Sequence, residues 1–218
     1  MKTNKKIQKG NFDFYSAMQL EHFEEFANLT GFDTGIDIEI LFPYLKNAET
    51  LVELGAGYGR AIHFLLQKEF EGKIIAVERI DRLIPHLQQR FQDKIQLVQQ
   101  DITKLKLPKK ADFFMWLWSG ILELNPTEQL HSIKQVYKNL KPGGTFAIES
   151  PDKTVRIVGK LEGDRKVTLE TEWGALEAYL PTESEIRNYA EQAGFSNFQT
   201  IRYQSTVGLD RVFYLLTK

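Results

Sequence analysis

Short apolar runs alternate with stretches of helical spacing through the middle of the chain. "TLVEL" (Thr50–Leu54), "KIIAVE" (Lys73–Glu78), "IQLVQQD" (Ile95–Asp101), "ADFFMWLW" (Ala111–Trp118) and "TFAIES" (Thr145–Ser150) each read as a buried strand. "RAIHFLLQKEF" (Arg60–Phe70), "DRLIPHLQQRF" (Asp81–Phe91) and "NPTEQLHSIKQVYKNL" (Asn125–Leu140) read as helices between them. The last has defined ends: Asn125 caps it, Pro126 suits its first position, Glu128 completes a capping box and "KPGG" stops it. Strands joined through helix-length segments imply right-handed crossovers and a parallel sheet covered on both faces. In such a sheet a ligand lies at the carboxyl ends of the strands, near the point where strand order reverses. The strand-end residues Glu53, Glu78, Asp101, Ser119, Glu149 and Ser150 therefore carry special weight.

The flanks differ from this core. "FYSAMQLEHFEEFANL" (Phe14–Leu29) has its apolar side chains at helical spacing and predicts one helix ahead of the sheet. "TVRIVGKLEGDRKVTLETEW" (Thr154–Trp173) alternates around "EGD" and predicts a hairpin. "TESEIRNYAEQAGF" (Thr182–Phe195) is a helix with a Thr182/Glu185 capping box and a Gly194 stop, followed by two strands, "FQTIRY" and "RVFYLLT". With no repeat or linker, we expect a single domain over 1–218. Its parts are a helical cap (1–48), a cofactor-binding core (49–150), a hairpin insertion (151–181) and a closing helix with a strand pair (182–218).

The stretch "VELGAGYGR" sets Gly55, Gly57 and Gly59 between the first strand and its helix. Glycines there allow a sharp turn and let a ligand touch the main chain without meeting Cβ atoms, and the helix start favours an anionic group. Arg60 stands where a dinucleotide fingerprint has its third glycine, which argues against a nicotinamide oxidoreductase. Glu78, 19 residues after Gly59, is placed to accept both hydroxyls of a ribose, and Asp101 to accept from an adenine amine. Each has a plainer reading as well: Glu78 as a surface carboxylate opening the turn into "RIDRL", Asp101 as the cap of the turn at Ile102 and Thr103.

Taken in order, "VELGAGYGR", "AVERID", "QQDITKL" and "NLKPGGTFAIESP" resemble the motifs of the class I S-adenosylmethionine-dependent methyltransferases, small-molecule type. The resemblance implies an α/β, Rossmann-like, doubly wound, mostly parallel sheet of seven strands with the last strand antiparallel. To this the flanks add an amino-terminal helical cap and a β-hairpin insertion after the fifth strand. It also implies S-adenosylmethionine as cofactor. The main chain at Gly55, Ala56, Gly57 and Gly59 would approach it, and Glu53 would hold the loop or the methionyl ammonium. Glu78 and Arg79 would lie at the ribose, Asp101 and Ile102 at the adenine, and Trp118 near the sulfonium. Arg60 has two readings, a cofactor contact or a helix-start arginine paired with a neighbouring acid.

Methyl transfer from a sulfonium is an in-line displacement on an activated donor, so positioning and water exclusion supply much of the acceleration. No catalytic triad is required and none is visible; a catalytic residue is not identifiable. Trp116 and Trp118 share one face of the fourth strand, and Phe113, Met115 and Leu117 share the other. Their rings either serve a cationic group or pack under helices. Tyr15, His22, Ser119, Glu149, Trp173 and Tyr179 are the candidate acceptor-site residues, with Trp173 and Tyr179 either in a lid or in a plain strand extension.

Bulk properties narrow the partners. A formal net charge of −1 offers no broad positive field to nucleic acid or acidic lipid. The chain has no cysteine, which excludes disulfides and thiol chemistry and fits a reducing compartment, so cytoplasm is the expectation. No apolar run approaches the ~20 residues of a spanning helix, and no metal-ligand spacing stands out. A small-molecule acceptor is expected, ahead of a macromolecular one or a non-catalytic cofactor-binding role.

Overall fold

The computed structural model describes residues 2–152, 160–161 and 165–218. The chain begins with two helices, α1 (Lys2–Ala17) and α2 (Leu20–Thr30), where the apolar spacing predicted one over Phe14–Leu29. The break falls at Gln19, which is extended (φ −70, ψ 159) and precedes the first turn of α2. The kink lets Phe14 and Met18 of the first segment and Phe23 of the second bury in one cluster with Tyr58, Ile80 and Leu83. A third helix, α3 (Ile36–Leu45), carries no motif visible in the sequence; it buries Ile38, Leu41, Leu45 and the charged Asp37.

The alternating core then follows as β1 (Thr50–Leu54), α4 (Arg60–Gln67), β2 (Lys73–Glu78), α5 (Leu83–Phe91), β3 (Ile95–Gln99), β4 (Ala111–Trp116), α6 (Pro126–Asn139) and β5 (Leu140–Pro151). The capping box of α6 is present: Asn125 Oδ1 accepts from Glu128 N at 3.1 Å, and Glu128 Oε2 accepts from Asn125 N at 3.3 Å. A second sheet runs from β6 (Lys160–Leu161) through β7 (Lys166–Thr171) to β8 (Gly174–Tyr179). The chain closes with α7 (Glu183–Ala193), β9 (Asn197–Gln204) and β10 (Asp210–Thr217).

The main sheet has the order β3-β2-β1-β4-β5-β10-β9. Neighbours from β3 to β5 are parallel, and β10 alone runs antiparallel to both its neighbours. Strand alternation divides the core in two. Val52, Leu54, Phe114, Trp116, Phe146 and Ile148 face a cluster that includes Ile133 and Val136 of α6 and Ile186 of α7. Leu51, Phe113, Met115 and Ala147 face one built with α3 and α4. Strand order reverses between β1 and β4, so a crevice opens above the carboxyl ends of these strands.

One expectation needs correction here. The fourth strand stops at Trp116, and Trp118 takes a left-handed conformation (φ 51), so the two tryptophans do not share a face. Trp116 goes to the α6 side, while Trp118 Nε1 donates to Thr30 Oγ1 of α2 at 3.2 Å. The predicted hairpin turn "EGD" lies outside the described residues; strands β6 and β7 on either side do pair. The longer hairpin is β7–β8, which turns at Glu172–Trp173 with Gly174 at φ 122. Buried Asn11 fixes α1 to it. The Asn11 amide donates to Glu177 O at 2.7 Å and Glu123 O at 3.2 Å, and its oxygen accepts from Glu177 N at 3.0 Å. Among the described residues no helix is long and apolar enough to cross a membrane.

Candidate active site

The three loop glycines all have positive φ (68, 58 and 85), yet for different reasons. A Cβ on Gly55 would meet nothing within 4 Å, and one on Gly57 only the Gly55 carbonyl at 4.0 Å. Both therefore face open space. A Cβ on Gly59 would collide with the Phe91 ring and stand 2.9 Å from Leu87 Cδ2. Gly59 accordingly lets α4 close on α5, and it is not among the residues lining the cavity.

Carboxylates surround this loop. Glu78 Oε2 accepts from Gly57 N at 2.7 Å, while its Oε1 accepts from Arg79 N and Ile80 N at 2.7 and 2.9 Å. The side chain thus ties the tip of the loop to the end of β2. An ionised carboxylate has about four acceptor positions, so one is left for a ligand hydroxyl. Asp101 Oδ1 caps the turn at Thr103, accepting from its N at 2.9 Å and its Oγ1 at 2.7 Å. The strand stops short of the predicted Asp101, at Gln99; Asp101 serves as the cap, and with Ile102 it also lines the cavity.

Glu53 is 4% exposed, and its buried Oε2 has no partner. Burial pushes its carboxyl from 4.5 up to about 8, opposed by Arg60 and reinforced by Asp37 and Glu78. Between pH 4.5 and 8 the folded chain holds a proton there that the unfolded chain has released, so this group makes stability fall as pH rises. The Glu53→Gln variant, measured without ligand, should match wild type near pH 4.5 and exceed it near pH 8, by at most about 5 kcal/mol. Parallel melting-temperature curves for the two proteins across that range would refute the assignment.

Arg60 answers the second of its two readings. Its Nη1 and Nη2 bond Asp37 Oδ1 and Oδ2 at 2.8 and 2.6 Å, and Nη1 also donates to Phe32 O at 3.0 Å. The guanidinium lies 5.3 Å from the Phe32 ring centroid and 5.5 Å from that of Trp118. Burial works against the charge, and Asp37 more than offsets it.

The glycine loop opens into a cavity of about 390 Å³. Glu53, Gly55, Ala56, Gly57, Glu78, Arg79 and Trp118 line one part of it, and Tyr15, His22 and Trp173 another. The His22 and Trp173 rings approach to 4.4 Å. Ser119, Glu149 and Tyr179 are not in the lining. Arg211 of β10 draws the first two away: its Nε and Nη2 donate to the Glu149 carboxylate at 2.5 and 2.7 Å, and Nη2 donates to Ser119 Oγ at 2.6 Å. Tyr179 turns to Glu185 of the α7 cap, donating at 2.6 Å. Sequence reasoning missed Asn11, Asp37 and Glu123. None lies in a motif, and each acquires its meaning from a partner more than 20 residues away.

An orphaned buried carboxylate oxygen, a glycine cradle that a Cβ would fill and an acid at the end of β2 suit a ligand combining a positive amino-acid end with a ribose. A family profile described as a methyltransferase domain matches residues 51–144. The chain is 25% identical over 135 residues to the uncharacterized methyltransferase YdaC of Bacillus subtilis (strain 168), covering 56% of this chain and 71% of the relative. Two solved structures share the fold. One is CalS10, an amino pentose methyltransferase from Micromonospora echinaspora with bound S-adenosylmethionine (TM-score 0.65, 15% identity, 92% of this chain and 97% of that one). The other is an S-adenosylmethionine-dependent methyltransferase from Clostridium acetobutylicum ATCC 824 (TM-score 0.67, 17% identity, 89% and 98%). The profile match covers residues 51–144, which hold the glycine loop and strands β1 to β4, so this part of the chain carries a methyltransferase domain.

Proposed function

We propose that this protein transfers a methyl group from S-adenosylmethionine to a small-molecule acceptor. The observation that carries the reading is one cavity shared by the glycine loop and an aromatic lobe, walled by α1, α2 and the β7–β8 turn. Its 390 Å³ lies within the ~300–1,000 Å³ of small-ligand pockets. Gly55 and Gly57 give the cofactor main chain without side chains, Glu53 faces its ammonium, Glu78 its ribose, and Asp101 with Ile102 its adenine. The cofactor supplies a methyl already activated by the sulfonium. What remains for the chain is to hold the acceptor in line and exclude water, which the rings of Trp118, Phe26 and Tyr58 serve.

The helices and hairpin that cover the cavity favour a small acceptor over a macromolecular one. In keeping with this, CalS10 acts on an amino pentose. The open lobe favours turnover over mere cofactor storage. The cysteine-free composition supports a cytoplasmic setting.

Calorimetric titration of cofactor-free protein with S-adenosylhomocysteine tests the cofactor half of this reading. We expect micromolar binding, no comparable binding of NADH, and a loss of at least about tenfold in Glu78→Ala, which removes the acceptor of three loop hydrogen bonds. A folded, cofactor-free sample that does not bind would end the reading.

A further inference from the structure

Removing the strand-end residues from the cavity leaves a lobe whose rings are Phe14, Tyr15, His22, Phe23, Phe26 and Trp173. Its own charged groups are Glu25 and Glu123. Across the whole lining the acids are Glu25, Glu53, Glu78, Asp101 and Glu123, and the bases are Arg60 and Arg79. Both guanidinium groups are engaged, Arg60 by Asp37 and Arg79 by Glu123 at 3.7 Å. Among the described residues no lysine lines the cavity. An anionic acceptor would meet uncompensated carboxylates, whereas a cation gains from the carboxylates and from the ring faces together.

Glu123 is the carboxylate best placed to exploit this. It ends the short turn Gly120–Glu123 after β4, and Asn11 anchors that turn through the Glu123 carbonyl. Tyr15 of α1 stands beside its carboxylate, and Arg79, at 3.7 Å, and Glu78 face it from the end of β2. Resting on the methyl-transfer reading above, we propose that the acceptor is a small amine that enters as an ammonium ion, its nitrogen received by Glu123 and its carbon skeleton held among the rings of α1, α2 and Trp173.

The reaction is then N-methylation. The nitrogen gives one proton to Glu123 and its freed lone pair forms the bond to the methyl carbon. The carbon–sulfur bond breaks with its electron pair on sulfur, leaving a thioether and a methylammonium, and Glu123 returns its proton to water. Burial pushes the Glu123 carboxyl from 4.5 up to about 7, with Arg79 and Tyr15 opposing and Glu78 adding, a value suited to taking a proton near neutrality.

Three probes of similar shape and different charge test the proposal: benzylamine, benzyl alcohol and benzoate, titrated into protein saturated with S-adenosylhomocysteine. Benzylamine should bind about tenfold more tightly than the alcohol at pH 8, with benzoate weakest. The preference should shrink toward pH 6, where Glu123 is protonated while the amine keeps its charge, and Glu123→Gln should lack it at both pH values. Benzylamine that fails to bind at millimolar concentration, or is matched by the alcohol or by benzoate at pH 8, overturns the proposal. Failure of S-adenosylhomocysteine to bind in the first step would instead overturn the reading on which it rests.

Discussion

Replacing Gly57 by alanine is expected to weaken S-adenosylhomocysteine binding by about a hundredfold or more while lowering stability by only ~1 kcal/mol. The added methyl meets no protein atom closer than the Gly55 carbonyl at 4.0 Å, so the folded chain tolerates it apart from the cost of φ +58. It stands instead in the space that the ligand's main-chain approach requires, next to the amide that Glu78 holds. Gly59→Ala provides the contrast. There the methyl runs into Phe91 and Leu87, and overpacking of ~1–3 kcal/mol adds to the left-handed strain. Thermal melts and calorimetry on both variants separate the two roles. A Gly57→Ala protein that binds like wild type would show that the ligand does not approach this loop.

Loss of the Asp37 carboxylate should produce the largest fall in stability of any single change considered. Asp37→Ala leaves the Arg60 guanidinium buried with only Phe32 O as a remaining partner, and breaking one side of such a pair costs ~3–5 kcal/mol. At ~2–4 °C per kcal/mol for a chain of this size, the melting temperature drops by ~6–20 °C. Cofactor affinity should fall too, because the freed Arg60 can turn to the orphaned Glu53 oxygen and occupy the acceptor left for the ligand. Asp37→Asn keeps one acceptor and should fall between wild type and Asp37→Ala. A melting temperature of Asp37→Ala within ~2 °C of wild type would mean that the pair contributes nothing net, as exposed pairs commonly do.

The helices that pack on the main sheet were legible where local chemistry marks their ends. Asn125 with Glu128, and Thr182 with Glu185, form the capping boxes their spacing predicts, and Gly194 stops α7 in a left-handed turn at φ 99. The amino-terminal helices were less legible. Apolar spacing continues across the break at Gln19, since periodicity reports which side chains are buried and not whether one straight rod can bury them all. Trp118 shows a similar limit. Alternation placed it on the strand with Trp116, and the left-handed turn after Leu117 instead sends its ring to α2.

By itself the sequence determined the alternation of strands and helices and the glycine–carboxylate set beside the strand ends. Those features depend on 2- and 3.6-residue periodicities, on caps and on the short loop Gly55–Gly59. Tertiary structure alone decided which polar groups face the cavity. Asp37 lies 23 residues before the arginine it neutralises, and Arg211 lies 62 after the Glu149 it withdraws from the cavity. Tyr15 comes to stand beside Glu123 from a helix of the amino-terminal cap. A buried charge takes whichever opposite charge or hydrogen-bond donor the packing brings within ~3 Å, and separation along the chain carries no weight in that choice.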